Sequence, residues 1–514
     1  MTGIGSHSGE QAETIAFLSD PRSHGTDGPV DLIETHAAIV FLAGQRAYKL
    51  KKAVTYPFLD YGTPELRRES CEAELALNRR TAPGLYLEVR AVRRGANGRL
   101  GFEHGDPVDW VVVMRRFDQH DLFDRLAAEG TLTLDRLRPL TDRIAQFHAD
   151  AEVVRSRGGA AAMRRILDGN RESMAAVASI IAASEADALH RASVDALSAL
   201  GPLLDRRRDE GHVRRCHGDL HLRNICLVDG VPTLFDCIEF SDEIACIDVL
   251  YDLAFLLMDL WQRGLRPEAN FVFNRYLDMT DESDGLAAIP LFMSMRAAVR
   301  AHVSALAAGA QADAGARRRE EEAARSYLAL AADLLRPVAP RLVAIGGFSG
   351  TGKSTLGRAL APDLGGAPGA RVLRSDVIRK RLMQVAPETR LPESAYRIEA
   401  SNAVYAEIDR RAEEVLDAGM AAVADAVFAQ PDERRSIAEV AARRGAAFTG
   451  FWLEAPLAVL ASRLAARIGD ASDATGEVAR RQLGYRTGTI EWHRIDASGD
   501  PAATAAAALA ILDS

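Results

Sequence analysis

The sequence predicts a multidomain chain of mixed α/β and α+β class: a small sheet-based lobe, a larger helical lobe, and a C-terminal α/β domain on a parallel sheet. Three observations predict it. The chain has 514 residues, which at roughly 100–200 residues per domain leaves room for about three packing units. From residue 341 onward, apolar strand-like runs alternate with helix-like runs, the order that a parallel sheet with crossover helices requires. Before residue 309 the strand-like runs come first and a long helical stretch follows.

Residues 1–30 are polar and rich in Gly and Ser, and are expected to form a flexible arm. Residues 31–116 carry the small lobe: AAIVFLAG and AYKLKKAV flank a turn at Gly44, a charged helical run ELRRESCEAELALNRR follows, and LYLEVRAV and VDWVVVMRR read as further strands. Residues 117–308 read as the helical lobe, interrupted at 213–240 by a loop, a short strand, a turn and a second short strand. Residues 309–338 form a charged helix that ends at Pro337 and Pro340 and is expected to link the domains. Residues 339–514 then give strand, glycine loop, helix, and further strands at ARVLRSD, GMAAVADAV, AAFTGFWLE and beyond Ile490.

Composition excludes several classes. A net charge of −9 with 26% charged residues lacks the basic excess of a general nucleic-acid binder, so the expected partners are small molecules held locally. The N-terminus MTGIGSHSGEQAET has no cationic start followed by an apolar core, and no apolar run reaches the ~18 residues of a membrane span. The expected location is therefore cytoplasmic. The five cysteines, Cys71, Cys216, Cys226, Cys237 and Cys246, form no C-x-x-C pair and read as reduced thiols. Only five of the 63 basic residues are lysines: Lys49, Lys51, Lys52, Lys353 and Lys380. Arginine replaces lysine nearly everywhere else, which favours a need for a compact point charge where lysine survives.

Gly347-Phe348-Ser349-Gly350-Thr351-Gly352-Lys353-Ser354, with Thr355 next, satisfies G-x-x-x-x-G-K-[ST] between the apolar strand 342–345 and the helix-forming run LGRALA. Glycines let backbone N–H groups converge on phosphates, the helix N-terminus adds positive potential, Lys353 reaches the terminal phosphates of ATP, and Ser354 takes Mg²⁺.

His217-Gly218-Asp219-Leu220-His221-Leu222-Arg223-Asn224 has the H-x-D-x-x-x-x-N spacing of the protein-kinase catalytic loop. In that pattern Asp219 accepts the proton of an incoming hydroxyl, Asn224 holds a metal, and Asp236, after the apolar run VPTLF, is the second metal-binding acid. His217 and His221 lie four apart, but in a loop that spacing does not make the one helix face that zinc ligation presumes. In the small lobe, Lys49 in AYKLKK stands where a kinase lysine holds the α- and β-phosphates. Strand alternation puts Lys51 on the same face, so the sequence does not choose between the two. Glu72 is the preferred helix partner, with Glu69 and Glu74 as alternatives. Trp110–Arg116 reads as the hinge, touching adenine through Val113 and Met114.

HGDLHLRNI followed by LFD, with DVLYDLAFLL downstream, resembles the aminoglycoside phosphotransferase family over residues 35–300. The resemblance implies a two-lobed, protein-kinase-like fold acting on small-molecule alcohols, with Asp248 and Asp252 as structural acids. Cys237-Ile238 stands where protein kinases have Phe-Gly, which argues for a small-molecule kinase. Residues 341–514 resemble P-loop kinases of the gluconate kinase, shikimate kinase and zeta-toxin type. That resemblance implies Asp376 as base, Arg379 as substrate clamp, Asp425 as metal helper, and Arg463 with Arg467 as lid arginines on the transferring phosphoryl. The arrangement is similar to a bacterial fusion of the two domain types. The leading expectation is a bifunctional ATP-dependent kinase of small hydroxylated molecules, with sugars or amino sugars foremost. The alternatives are a nucleic-acid-end kinase in the C-terminal domain and a nucleotide-switched regulator.

Overall fold

The structure is a computed structural model and describes residues 8–35, 37–56, 59–465 and 472–513. The chain divides into two compact units, residues 1–159 with 207–252 and residues 160–206 with 253–514.

The first unit opens with helix α1 (Ser8–Ser19), followed by strands β1 (Asp31–Glu34), β2 (Ala38–Ala43) and β3 (Arg46–Lys51) and the short pair β4 (Thr55–Tyr56) and β5 (Leu59–Asp60). Helix α2 (Pro64–Asn78) comes next, then β6 (Tyr86–Arg94), β7 (Leu100–Gly101) and β8 (Asp106–Arg115). Thr63 caps α2 by accepting from Leu66 N, and Pro64 fills the first helical position, where its missing N–H costs nothing. The strands form an antiparallel sheet in the order β1-β2-β3-β8-β6-β7. Alternation splits its side chains between two faces. Phe41, Tyr48, Leu50, Val111 and Val113 pack with Leu18 of α1, while Val112 packs on the other face with Cys71 of α2 and Tyr86.

Within the expected arm, Ser8–Ser19 is therefore a packed helix. Gln11 of α1 is buried, donates to Lys51 O and to Asp109 Oδ2, and accepts from Ala53 N. A polar helix anchors itself by satisfying buried polar groups, which a hydrophobicity pattern does not reveal.

Helices α3 (Phe123–Ala128) and α4 (Leu134–Asp150) follow, and the chain then runs through α5 (Gly159–Ala175) and α6 (Ala183–Glu210), most of which belong to the second unit. It returns with β9 (Val213–Arg215), β10 (Ile225–Val228), β11 (Val231–Leu234), α7 (Asp242–Ala245), β12 (Cys246–Asp248) and the start of α8 (Val249–Gln262). Strands β10 and β11 are joined by Asp229-Gly230, both at positive φ, the two-residue hairpin turn that Asp-Gly favours.

The second unit contains α9 (Arg266–Thr280), α10 (Ile289–Ala310) and α11 (Ala314–Asp333). Helix α11, expected as a linker, packs along α10: Ala324, Leu328 and Ala331 are buried and Ser294 Oγ donates to Ala331 O. Beyond it come β13 (Arg341–Gly347), α12 (Lys353–Leu360), β14 (Arg371–Arg374), α13 (Ser375–Leu382), α14 (Ile398–Asp417) and β15 (Ala422–Asp425). Last are α15 (Pro431–Arg443), β16 (Ala447–Glu454), α16 (Leu457–Ala465), α17 (Gly476–Gln482), β17 (His493–Asp496) and α18 (Pro501–Leu512). The sheet order is β14-β15-β13-β16-β17 with every pairing parallel. Its core gathers Val343, Ile345, Leu356, Val372, Val423 and Phe451. Among the described residues no helix is long and apolar enough to cross a membrane.

Candidate active sites in the two units

In the first unit, β3 presents Lys49 and Lys51 on the face covered by α2, and the buried carboxylate of Glu74 lies between them. Lys49 Nζ is 2.8 Å from Glu74 Oε1, and Lys51 Nζ is 2.7 Å from Glu74 Oε2. Burial alone would raise the Glu74 carboxyl, but the two ammonium groups outweigh it and hold it well below the ordinary glutamate range. Lys49 also reaches Asp236 Oδ1 at 2.6 Å, whereas Lys51 pairs with Glu239. Burial opposes the charge on Lys49, yet Asp236 and Glu74 raise its pKa well above the ordinary value, so it stays an ammonium. Lys49 is thus the lysine that faces the hairpin acid, and Lys51 is the buried strut behind it.

Two expectations are corrected here. Glu72 stands on the outer face of α2, 3.6 Å from Arg68, because Cys71, Glu74 and Asn78 make the buried stripe of that helix. Val113 points into the opposite core: Lys49 pairs with Val112, so Val112 and Met114 share the lysine face and Val113 does not. Met114 packs there with Phe117 and Phe235.

Glu74→Ala leaves two buried ammonium groups without their shared partner, and removing one member of a buried ion pair costs roughly 3–5 kcal/mol. Urea denaturation at neutral pH checks this, and a loss below about 1 kcal/mol would contradict the strut. The sign with pH follows from the depressed carboxyl. The stabilisation by Glu74 is complete above the ordinary glutamate value of about 4.3 and is lost as the pH falls toward the lower folded-state value.

The catalytic-type loop hangs on Asp252 of α8, which accepts from His217 N at 3.0 Å and Gly218 N at 2.9 Å. Asp248 forms a buried pair with Arg207 and fixes Leu250 N. The carboxylate of Asp219 is oriented by Asn224, whose Nδ2 donates to Oδ2 at 2.8 Å, and His221 Nε2 lies 3.3 Å from the same oxygen. Phe235 N donates to Asn224 O, which ties the end of β11 to the loop and sets Asp236 beside it, at a φ of 64°. Asp219, Asn224 and Asp236 offer the hard oxygen donors that suit Mg²⁺. His217 Nε2 instead contacts Phe235 O, so the two histidines serve separate bonds. His148, Cys216 and Asp252 bring ligand atoms within 4.8 Å of one another. These atoms form a hydrogen-bond network, with His148 Nε2 on Asp252 Oδ2 and Cys216 Sγ donating to Ile247 O.

In the second unit the glycine loop follows β13. Gly347 has φ 134°, and a Cβ there would stand 2.6 Å from Leu453 O, so only glycine fits. Thr351 Oγ1 and Lys353 Nζ both donate to Phe348 O, and Ser349 N donates to Gln482 Oε1 of α17. Ser354 Oγ meets Asp425 Oδ2 at 2.5 Å, joining the start of α12 to the end of β15. A hydroxyl and a carboxylate converging at a helix N-terminus fit a hydrated Mg²⁺ on a nucleotide phosphate. Arg374 Nε is 3.7 Å from the same carboxylate.

Asp376 and Arg379 lie on α13, one turn apart. Burial raises the Asp376 carboxyl above its ordinary value, while Arg374 and a hydrogen bond from Ser472 oppose the shift. Arg379 is 8% exposed, donates to Ala395 O at 2.7 Å and lies 4.7 Å from the Tyr396 ring centre, while its buried Nε has no hydrogen-bond partner among the described residues. Three side chains without a role in the sequence expectations complete this side. Tyr396 Oη donates to Asp473 Oδ2 at 2.6 Å, and the buried Lys380 lies 3.3 Å from Asp473 Oδ1. The scarcity of lysine was the only sequence signal for Lys380. Arg463 spends two donors on Ala497 O and Gly499 O beyond β17, so it is tied to that loop. Arg467 lies outside the described residues.

Comparison with known proteins follows the same division. Residues 62–288 match the Phosphotransferase enzyme family and residues 342–488 match an AAA domain. The uncharacterized protein Rv2004c of Mycobacterium tuberculosis (strain ATCC 25618 / H37Rv) is 32% identical over 487 residues, spanning 92% of this chain and 94% of the relative. A gluconokinase from Sinorhizobium meliloti 1021 is 22% identical, with 34% of this chain and 92% of that chain covered and a TM-score of 0.24. A choline/ethanolamine kinase family protein from Mesorhizobium loti is 17% identical, with 63% and 99% covered and a TM-score of 0.35.

Proposed function

The chain belongs to one family with Rv2004c of Mycobacterium tuberculosis and is a phosphotransferase enzyme with a P-loop nucleotide-binding domain, and from that premise we propose that it carries two separate ATP-dependent kinase sites. The observation that carries the reading is duplication. Each unit holds its own phosphate lysine, its own candidate base and its own oxygen donors for a metal: Lys49, Asp219 and Asp236 in one, Lys353, Asp376 and Ser354 with Asp425 in the other.

At the first site Lys49 holds nucleotide phosphates, Asn224 orients Asp219, and Asp219 takes the proton of the acceptor hydroxyl. At the second, the loop amides and Lys353 cradle the phosphates. Asp376, whose carboxyl burial makes more basic, takes the proton there, and Arg379 offers its unsatisfied Nε to the acceptor. Asn224 and Asp236 at the first site, and Ser354 with Asp425 at the second, would hold Mg²⁺, which would neutralise charge on the phosphates. The acceptors are hydroxyl groups of small molecules, with sugars and amino sugars foremost.

Incubating the full chain with ATP, Mg²⁺ and a bacterial metabolite extract, with mass spectrometry of the products, tests this. The expected result is phosphorylated alcohols of two kinds, one absent with Asp219→Asn and the other absent with Asp376→Asn. ADP formation without any phosphorylated small molecule, or loss of all products with a single variant, would contradict it.

A further inference from the structure

Strand β14 is one of the two outer strands of the parallel sheet, and its free edge faces α9, a helix of the phosphotransferase segment 62–288. An uncovered edge leaves backbone groups unpaired. Here two side-chain amides pair them. Asn274 Oδ1 accepts from Val372 N at 2.7 Å and its Nδ2 donates to Ala370 O at 3.1 Å, the bonds that one residue of a further parallel strand would make. One turn earlier, Asn270 Nδ2 donates to Pro368 O and Ala370 O, both at 3.0 Å. Gly369 permits that approach, since a Cβ there would stand 2.8 Å from Asn270 Nδ2.

The same helix face continues into charge. Arg371 of β14 pairs with Asp278 at 2.7 Å. Arg381, on α13, donates to Leu277 O and Asp278 O and pairs with Asp281, which also receives Arg411 at 2.8 Å. These cations sit at the C-terminal end of α9, where the helix dipole favours them. Both the strand that leads into α13 and α13 itself are therefore held by α9, and α13 carries Asp376 and Arg379.

We propose that α9 is a positioning element of the P-loop site, acting through Asn274 and Asp281 on β14 and α13. The phosphotransferase segment thus supplies part of the frame of the second active site. The inference rests on the reading of Asp376 as the base of that site.

The test uses the full chain carrying Asp219→Asn, so that ADP formation with Mg²⁺ and ATP reports the P-loop site. Asn274→Ala and Asp281→Ala are each expected to lower that rate roughly 10²-fold, the cost of misplacing reacting groups by about 1 Å. Affinity for a non-hydrolysable ATP analogue should stay unchanged, because β13, α12 and Asp425 hold the nucleotide. Asp281→Glu keeps a carboxylate for Arg381 and Arg411 and should retain the rate. Hydrogen exchange should rise in peptides covering 371–382 and not in those covering 347–356, which separates displacement from unfolding. Unchanged rates in both alanine variants, with Asp376→Asn inactive, would overturn the inference alone. Full activity in Asp376→Asn would overturn the reading of the base and the inference with it.

Discussion

Asp219→Asn should abolish phosphoryl transfer at the first site while ADP formation at the P-loop site continues. The carboxylate is held by Asn224 at 2.8 Å and is partly exposed, so it is oriented yet open to an acceptor. The amide that replaces it cannot take a proton, and the loss of a positioned general base is worth about 10²–10⁴ in rate. Fold should be kept, because Asp252 holds the loop through His217 N and Gly218 N, and the amide oxygen of the variant can still accept from Asn224 Nδ2. Product analysis by mass spectrometry with circular dichroism checks both halves. Loss of both activities in a folded variant would show that the sites do not act separately.

Lys353→Ala should nearly abolish turnover at the second site. The ammonium stands at the first position of α12, inside the glycine loop, and removing one preorganised charge contact of this kind costs about 10²–10³ in rate. The unliganded melting temperature should change little, since the loop is also held by Thr351 Oγ1 donating to Phe348 O and by Ser349 N donating to Gln482 Oε1. Lys353→Arg should also be poor, because a planar fork does not replace a compact ammonium in so tight a loop. Turnover of the full chain carrying Asp219→Asn, beside calorimetric nucleotide titration, is the check. The full chain is the right material, because β14 depends on Asn270 and Asn274 for its edge.

Much of both candidate sites is legible in the sequence because the motifs that propose them are local. The glycine loop needs eight consecutive residues, and the Asp219 loop with Asp236 needs twenty. The parallel sheet was legible because its strands are continuous apolar runs between helices. What failed depends on phase or on distant partners. Choosing Glu74 over Glu72 requires the buried stripe of α2, and Cys71, Glu74 and Asn78 mix apolar with polar residues, so hydrophobicity does not mark it. Placing Val113 requires the register between β3 and β8, which pairs Lys49 with Val112 across 63 residues of chain. Helix α1 is anchored by the amide of Gln11 on Lys51 O and Asp109, bonds between residues 40 and 98 apart. Asn270 and Asn274 read as ordinary polar helix positions until β14, about a hundred residues on, comes against them.

The most direct test of two separate nucleotide sites is an equilibrium titration of the full chain with a non-hydrolysable ATP analogue and Mg²⁺. The account predicts two nucleotides bound per chain, with the second lost or greatly weakened in Lys353→Ala and the first unaffected. A single nucleotide per wild-type chain, abolished by that one substitution, would contradict it.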